Sequence, residues 1–165
     1  MEFRARIQKQ DQNTTGAVAC VFLPRDIADH LAQEGIKRIL VHTQGQVFKR
    51  AAISDGQGGR YIMTGKDVLQ KLGCGIGHML DIRIEVDPDP DAVDLPEELE
   101  VVLEQDEEFA KYFFGITKGR QRSYAYFVTT AKTMDTRIKR SLELAYKAKT
   151  GQLDAQRRNA QKAKE

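Results

Sequence analysis

The chain has 165 residues, 41% hydrophobic and 30% charged, with a formal net charge of +2. That balance excludes a disordered or collagen-like chain, and the length allows one domain or two very small ones. Charged residues interrupt every apolar run well short of the ~20 residues that a bilayer span needs, so neither a transmembrane helix nor a signal peptide is expected. The expected setting is the cytoplasm.

A compact chain of this size needs no disulfide or metal staple to fold. The two cysteines, Cys20 and Cys74, sit among apolar or glycine neighbours and form no CxxC pair. Free thiols are the better reading, with one disulfide as the alternative.

The first half reads as strands. Phe3, Ala5 and Ile7 alternate with Arg4, Arg6 and Gln8, the pattern of a half-buried strand. Further strands are expected at 17–23, 38–43, 47–53, 60–64 and 80–86, with turns at Gln44-Gly45-Gln46 and at 54–59. Inward positions are Phe3, Ile7, Val21, Ile39, Val41, Ile62, Ile82 and Ile84. Short helices are expected at 25–34, ended by Gly35, and at 66–72, ended by Gly73. A shift of 41 residues lays Val21 on Ile62, Asp26-Ile27 on Asp67-Val68, Leu31 on Leu72, and Ile39 and Val41 on Leu80 and Ile82. Both copies read strand, helix, glycine turn, strand.

Asp87-Pro88-Asp89-Pro90-Asp91 is a stiff, extended connector. Beyond it the period becomes helical. Pro96-Glu97-Glu98 starts one helix, with Leu99 and Leu103 on its apolar face. A second runs over 106–114 with Phe109, Tyr112 and Phe113 as core, and Gly115 and Gly119 break it. Periodicity resumes over 120–149, as one helix or two. Ala131, Met134, Ile138, Leu142 and Ala145 form its expected core stripe. The fold class is therefore α+β: a small six-stranded, pseudo-twofold β-barrel over 1–95, a helical module over 96–151, and a basic tail over 152–165 expected to fray.

Charge is unevenly spread. Twelve acidic and no basic residues lie between Glu85 and Glu108, whereas from Phe109 onward fourteen Lys and Arg stand against four Asp and Glu, which leaves +10. Either the two stretches neutralise each other across the fold, or the basic one holds an anionic partner.

The C-terminal residues carry a resemblance. Ala131-Lys132, Asp135-Thr136-Arg137 and Lys139-Arg140, led in by Gly119-Arg120-Gln121-Arg122-Ser123-Tyr124, resemble the bacterial bacteriocin-protection, YdeI/OmpD-associated family. Val21 to Pro24, the turn Asp55-Gly56-Gln57-Gly58-Gly59 with Tyr61, Lys71-Leu72-Gly73, and Glu85 with Asp87 resemble the small barrel domain of unknown function often fused to it. Asp135 stands where that family usually has Glu, Phe127 where Trp is common, and His78 where Asp is usual. The resemblance implies a closed barrel with an appended helical region. It also implies an association with protection against bacteriocins or cationic peptides, and no established enzymatic activity.

The candidate anion-binding residues are Lys118, Arg120, Arg122 and Tyr124 around an expected helix start, where backbone N–H groups and the helix dipole favour an anion. Lys132, Thr136 and Arg140 follow at spacings of four, with Arg137 at the edge of that face. Arg grips phosphate or carboxylate bidentately. Pairing of Arg137 and Arg140 with the acidic run, tying the helices to the barrel, is the competing reading. His30, His42 and His78 have no metal-ligand spacing, so no metal, cofactor or catalytic residue is expected. Glu85 and Asp87 share a strand face and read as solvated strand-end charges rather than a catalytic pair. The expectation is a non-catalytic binding protein for an anionic small molecule or protein partner. The alternatives are an enzyme of unrecognised type with a pocket where barrel meets helices, and a nucleic-acid-binding protein, which lacks a recognised docking motif here.

Overall fold

The computed structural model describes residues 1–10 and 18–153. The chain divides into two compact units, Met1–Pro90 and a second that begins at Asp91. The first holds the strands β1 (Glu2–Arg6), β2 (Gln8–Gln10), β3 (Val18–Phe22), β4 (Arg38–Thr43), β5 (Gln46–Ala51), β6 (Ile53–Ser54), β7 (Arg60–Met63) and β8 (Met79–Val86). Its helices are α1 (Arg25–Gln33) and α2 (Lys66–Leu72).

These strands form two four-stranded antiparallel sheets, ordered β1-β8-β4-β5 and β2-β3-β7-β6. The α+β class is thus present, but no closed six-stranded barrel is found among the described residues. Two of the expected strands each divide, because the chain passes from one sheet to the other at Ile7 and at Ala52. Both residues are buried, and both still bond outward. Ile7 N–H donates to His78 O at 2.9 Å, and Ala52 N–H to Lys37 O at 3.0 Å. Ala17, expected at the start of β3, lies outside the described residues.

The 41-residue repeat is visible in the register. α1 and α2 begin 41 residues apart, at Arg25 and Lys66, and β4 and β8 begin 41 apart, at Arg38 and Met79. Val21 pairs with Ile62 across β3 and β7, and His42 with Arg83 across β4 and β8. Each of these residues therefore faces its own repeat equivalent, which defines an approximate twofold axis through both sheets.

Local chemistry explains the elements. Ile27, Ala28 and Leu31 give α1 one buried face, and Gly35 follows it in the left-handed region, at φ 65°. The hairpin between β4 and β5 turns on Gln44 and Gly45, both at positive φ, as a two-residue loop requires. Ile7, Val21, Ile39, Val41, Ile62, Leu80, Ile82 and Ile84 fill the core, with Phe3 half-buried beside them. The interior space that remains, lined by Val21, Val41, Phe48 and Ile62 among others, is about 20 Å³. That has room for a water at most.

Among the described residues the second unit has four helices: α3 (Glu97–Gln105), α4 (Glu107–Gly115), α5 (Lys118–Thr129) and α6 (Met134–Lys149). α6 packs on the other three. Leu99, Leu103, Phe109, Phe113, Val128, Leu144 and Leu153 are the large members of its core. Phe109 and Phe113 meet edge to face with ring centres 6.0 Å apart. Two expectations change. Gly119 does not break a helix but lies in the first turn of α5. The stripe expected as core is only partly so: Ala131 and Ala145 are buried, whereas Met134, Ile138 and Leu142 are exposed. The buried face of α6 is instead Ser141, Leu144, Ala145 and Ala148, mostly small residues that let the helix approach its neighbours closely. Residues 154–165 of the expected tail lie outside the described residues.

Leu31 is fully buried between α1 and the sheets. Leu31→Ala is expected to cost about 2–5 kcal/mol of unfolding free energy, read as a lower urea midpoint with an unchanged m-value.

Candidate anion-binding face of the helical unit

α5 begins unlike the other helices of its unit. Asp106 caps α4 by accepting the Phe109 N–H at 3.0 Å, and Thr133 caps α6 by accepting the Thr136 N–H at 3.3 Å. α3 opens with Glu97, Glu98 and Glu100 in its first turn. α5 follows Thr117, whose side chain makes no capping bond, and its first turn carries no acid. Lys118 and Arg120 are exposed there. The buried amide of Gln121 supports the turn: its nitrogen donates to Ile116 O at 3.0 Å, and its oxygen accepts from Lys118 Nζ at 3.5 Å. Arg122 reaches back to Ala92 O at 3.1 Å, pinning the segment that precedes α3. Tyr124 is half-buried against the helical core.

The other candidates lie at the far end of α5. Lys132 is in the turn before α6 rather than on it, and is exposed. Thr136 shares a hydroxyl hydrogen bond with Thr133 at 2.8 Å. Arg137 donates to Glu98 Oε1 at 2.6 Å and to Ala131 O at 3.4 Å. Arg140 donates to Phe127 O at 2.5 Å and to Thr130 Oγ1 at 3.1 Å, with its guanidinium 4.7 Å above the Phe127 ring. So Arg140 closes the C-terminal end of α5, and Arg137 ties the α5–α6 turn to α3. Lys118 and Lys132 are separated by the 12-residue length of α5, about 18 Å at 1.5 Å per residue, with Arg120, Arg122 and Tyr124 spread over the first seven residues of that helix.

The acidic and basic stretches meet inside this unit. Glu98 takes Arg137, and Asp106 takes Lys149 at 2.6 Å. The hydrogen bond from Arg137 holds the Glu98 carboxyl below the usual carboxylate range. The bond from Lys149, with the Phe109 N–H, lowers that of Asp106, and the same contact raises Lys149.

The first unit carries a cluster that the sequence reading did not assemble. On the outer face of β4 and β8, His42 Nε2 lies 3.1 Å from Glu85 Oε2, and Arg83 reaches Glu85 Oε1 and His42 Nδ1 at 3.4 Å each. His42 and Arg83 line an open cavity of about 720 Å³ with Glu2, Thr43 and Asp81. The one signal for it was the repeat, which lays His42 on Arg83. Glu85 is exposed, but Asp87 is not the solvated charge expected. It is buried, with Oδ2 3.9 Å from Arg38 Nε and Oδ1 accepting the Asp89 N–H at 3.1 Å. Cys20 and Cys74 are free thiols, and burial pushes the pKa of each up. Among the described residues no His, Cys, Asp and Glu group could hold a metal, and no helix is long and apolar enough to cross a membrane.

Residues 92–151 match the family described as bacteriocin-protection, YdeI or OmpD-associated, and residues 3–84 match a domain of unknown function, DUF1905. The helical module thus belongs to the bacteriocin-protection, YdeI or OmpD-associated family, and the N-terminal domain to DUF1905. Comparison with the curated proteins and with the solved structures finds no match. The residues that carry the family resemblance have visible structural work in the helical module: Thr136 and its capping partner Thr133 start α6, Arg137 holds Glu98, and Arg140 closes α5.

The lowered carboxyl pKa values set the sign of a pH dependence. A carboxyl whose folded value lies below its unfolded one, near 4, stabilises fully above that value and loses the contribution as pH falls through the folded value. E98Q/D106N keeps the hydrogen-bonding shapes and the Asn cap but removes both charges. The double variant is expected to be less stable than the parent at neutral pH and to lose less on acidification to about pH 3. Urea denaturation at a series of pH values checks this.

Proposed function

We propose that this chain is a non-catalytic binding protein whose helical module takes an anionic group, phosphate or carboxylate, at the start of α5. The observation that carries this is the first turn of α5, where Lys118 and Arg120 stand without an acid or a side-chain cap. Cations at a helix N-terminus oppose the dipole and cost about 0.3–1 kcal/mol each. A bound anion reverses that sign, since the free N–H groups, the dipole and both side chains would then all favour it. Local unfavourable chemistry without a compensating internal contact is where a function is to be sought. Arg137 and Arg140 enter this reading as the residues that fix α5 rather than as ligands, and Lys132 is too far along the helix to join the same anion. In the N-terminal unit, the finer reading of a six-stranded ring rests on the passages at Ile7 and Ala52, which make the outermost strand of one sheet continuous with that of the other.

Nucleic acid is less favoured, because among the described residues the exposed Lys118 and Arg120 lie at one end of α5 and Lys132 beyond the other. Catalysis is less favoured too. The most suggestive polar cluster, His42 with Glu85 and Arg83, has no free hydroxyl beside it, since the buried Thr43 hydroxyl donates to Asp81 O at 2.9 Å.

The test is a titration of the full chain with inorganic pyrophosphate, followed by backbone amide shifts. Saturable shifts confined to residues 117–121 are expected, abolished in K118Q/R120Q. The same variant is expected to melt higher than the parent by about 1–5 °C, because two unfavourable dipole contacts are gone. Absence of saturable binding, or shifts that survive the double substitution, would remove the anion site. Oligonucleotide binding with a steep salt slope would favour the nucleic-acid reading instead.

A further inference from the structure

α6 has two apolar faces, and only one of them is covered. Ser141, Leu144, Ala145 and Ala148 are buried against α3, α4 and α5. Met134, Ile138, Leu142 and Tyr146, spaced by four along the 16-residue helix, are 61, 40, 55 and 61% exposed. A row at that spacing is the ridge that helices use to pack against one another. Four large apolar side chains in one exposed line are far more than the scattered surface residues of an ordinary monomer. A groove of about 290 Å³ lies beside the ridge, lined by Val102, Gln105, Leu142, Ala145 and Tyr146, with Asp106 and Lys149 at its rim. Ridge and groove share Leu142 and Tyr146, so they are neighbours on one face.

We propose that α6 is a self-association element, on which two copies of this chain dock antiparallel about a twofold axis near the middle of the helix. A contact of this kind needs one surface that carries both a projection and its complement, and the α6 face has both. Antiparallel docking about the midpoint between Ile138 and Leu142 sets Ile138 of one copy on Leu142 of the other, and Met134 on Tyr146. The lysines of the last turn, Lys147 and Lys149, already pair with Glu143 and Asp106, so the orientation rests on the helix dipoles and on the ridge. An antiparallel pair sets the two dipoles in opposition, which a parallel pair would not. Residues 154–165 and 11–17 contain no apolar residue larger than alanine, so they offer no large apolar side chain to cover the ridge. Four half-exposed side chains from each copy bury roughly 1,000 Å² in total, the size of a transient contact rather than a permanent one. The dimer is therefore reversible.

Sedimentation velocity on the full chain, from about 1 μM to about 500 μM, tests this. A concentration-dependent shift from monomer to dimer is expected, and I138D/L142D is expected to stay monomeric throughout. Both positions are exposed, so the variant's far-UV circular dichroism and thermal transition should match the parent's. That match separates loss of docking from loss of folding. Orientation has its own readout. An oxidised mixture of M134C and Y146C chains should give a disulfide-linked heterodimer, and neither variant alone should cross-link through its new cysteine. A parent that remains monomeric at the highest concentration, a dimer that survives I138D/L142D, or self-linking of M134C alone would each overturn the proposal.

Discussion

A guanidinium that is largely withdrawn from water must find a partner, and Arg137 meets that requirement at Glu98. Much of the helical module follows from this one pairing. Glu98 lies in the first turn of α3 and Arg137 near the start of α6, so the bond fixes how these two helices lie. The second donation, to Ala131 O, fixes the α5–α6 turn between them. Arg140, one turn further on, then reaches the last carbonyls of α5. Lys118 and Arg120 stand apart from this closure: Lys118 reaches the Gln121 amide oxygen, and neither meets a carboxylate among the described residues, so an anion there displaces no ion pair.

The same accounting resolves the charge asymmetry. Twelve acids followed by a +10 segment looks like an unbalanced chain, yet Glu98 and Asp106 from the first stretch meet Arg137 and Lys149 from the second inside one four-helix unit. Neutralisation is short-range and partial. Of the two arginines expected to pair with this run and hold the helices to the barrel, Arg137 pairs with Glu98 inside the helical unit, whereas Arg140 bonds Phe127 O and Thr130 Oγ1 instead. A linear charge count cannot say which helix brings which acid, because that depends on the angle at which α3 crosses α6.

Much of the fold was legible. The 41-residue repeat, both short helices and their glycine stops were readable because each rests on local periodicity or on a backbone conformation that favours glycine. The sheet changes at Ile7 and Ala52 were not. Each is a buried apolar or small residue in an otherwise alternating strand, so the pattern continues while the pairing partner changes. The α6 stripe failed for a different reason. Apolar spacing shows that residues share a face but not that anything covers it. Here the tighter packing goes to Ser141, Ala145 and Ala148, whose small side chains admit the neighbouring helices. Hydrophobicity pointed to the larger residues and so chose the wrong side of the helix. At the candidate site, the basic start of α5 was legible from composition. The separation of Lys118 and Arg120 from Lys132 was not, because it required knowing that one continuous helix lies between them.

The twofold arrangement of the N-terminal domain also accounts for a cluster that no local pattern announces. When two similar segments pair antiparallel about an axis, the residues on that axis face their own equivalents. In the core this is harmless: Val21 on Ile62 is an apolar contact whichever residues are chosen. On the outer face it is a constraint, since two identical charged residues placed there would repel each other. His42 and Arg83 occupy that position, and Glu85, two residues along β8, lies close to both. A carboxylate shared between an imidazole and a guanidinium offsets the positive charge that the axis gathers there. The cluster is thus explained by the geometry of the repeat. That is a reason to look first to the helical module, where Lys118 and Arg120 stand at the positive end of the α5 dipole with no acid in that turn, for the chemistry by which this chain meets a partner.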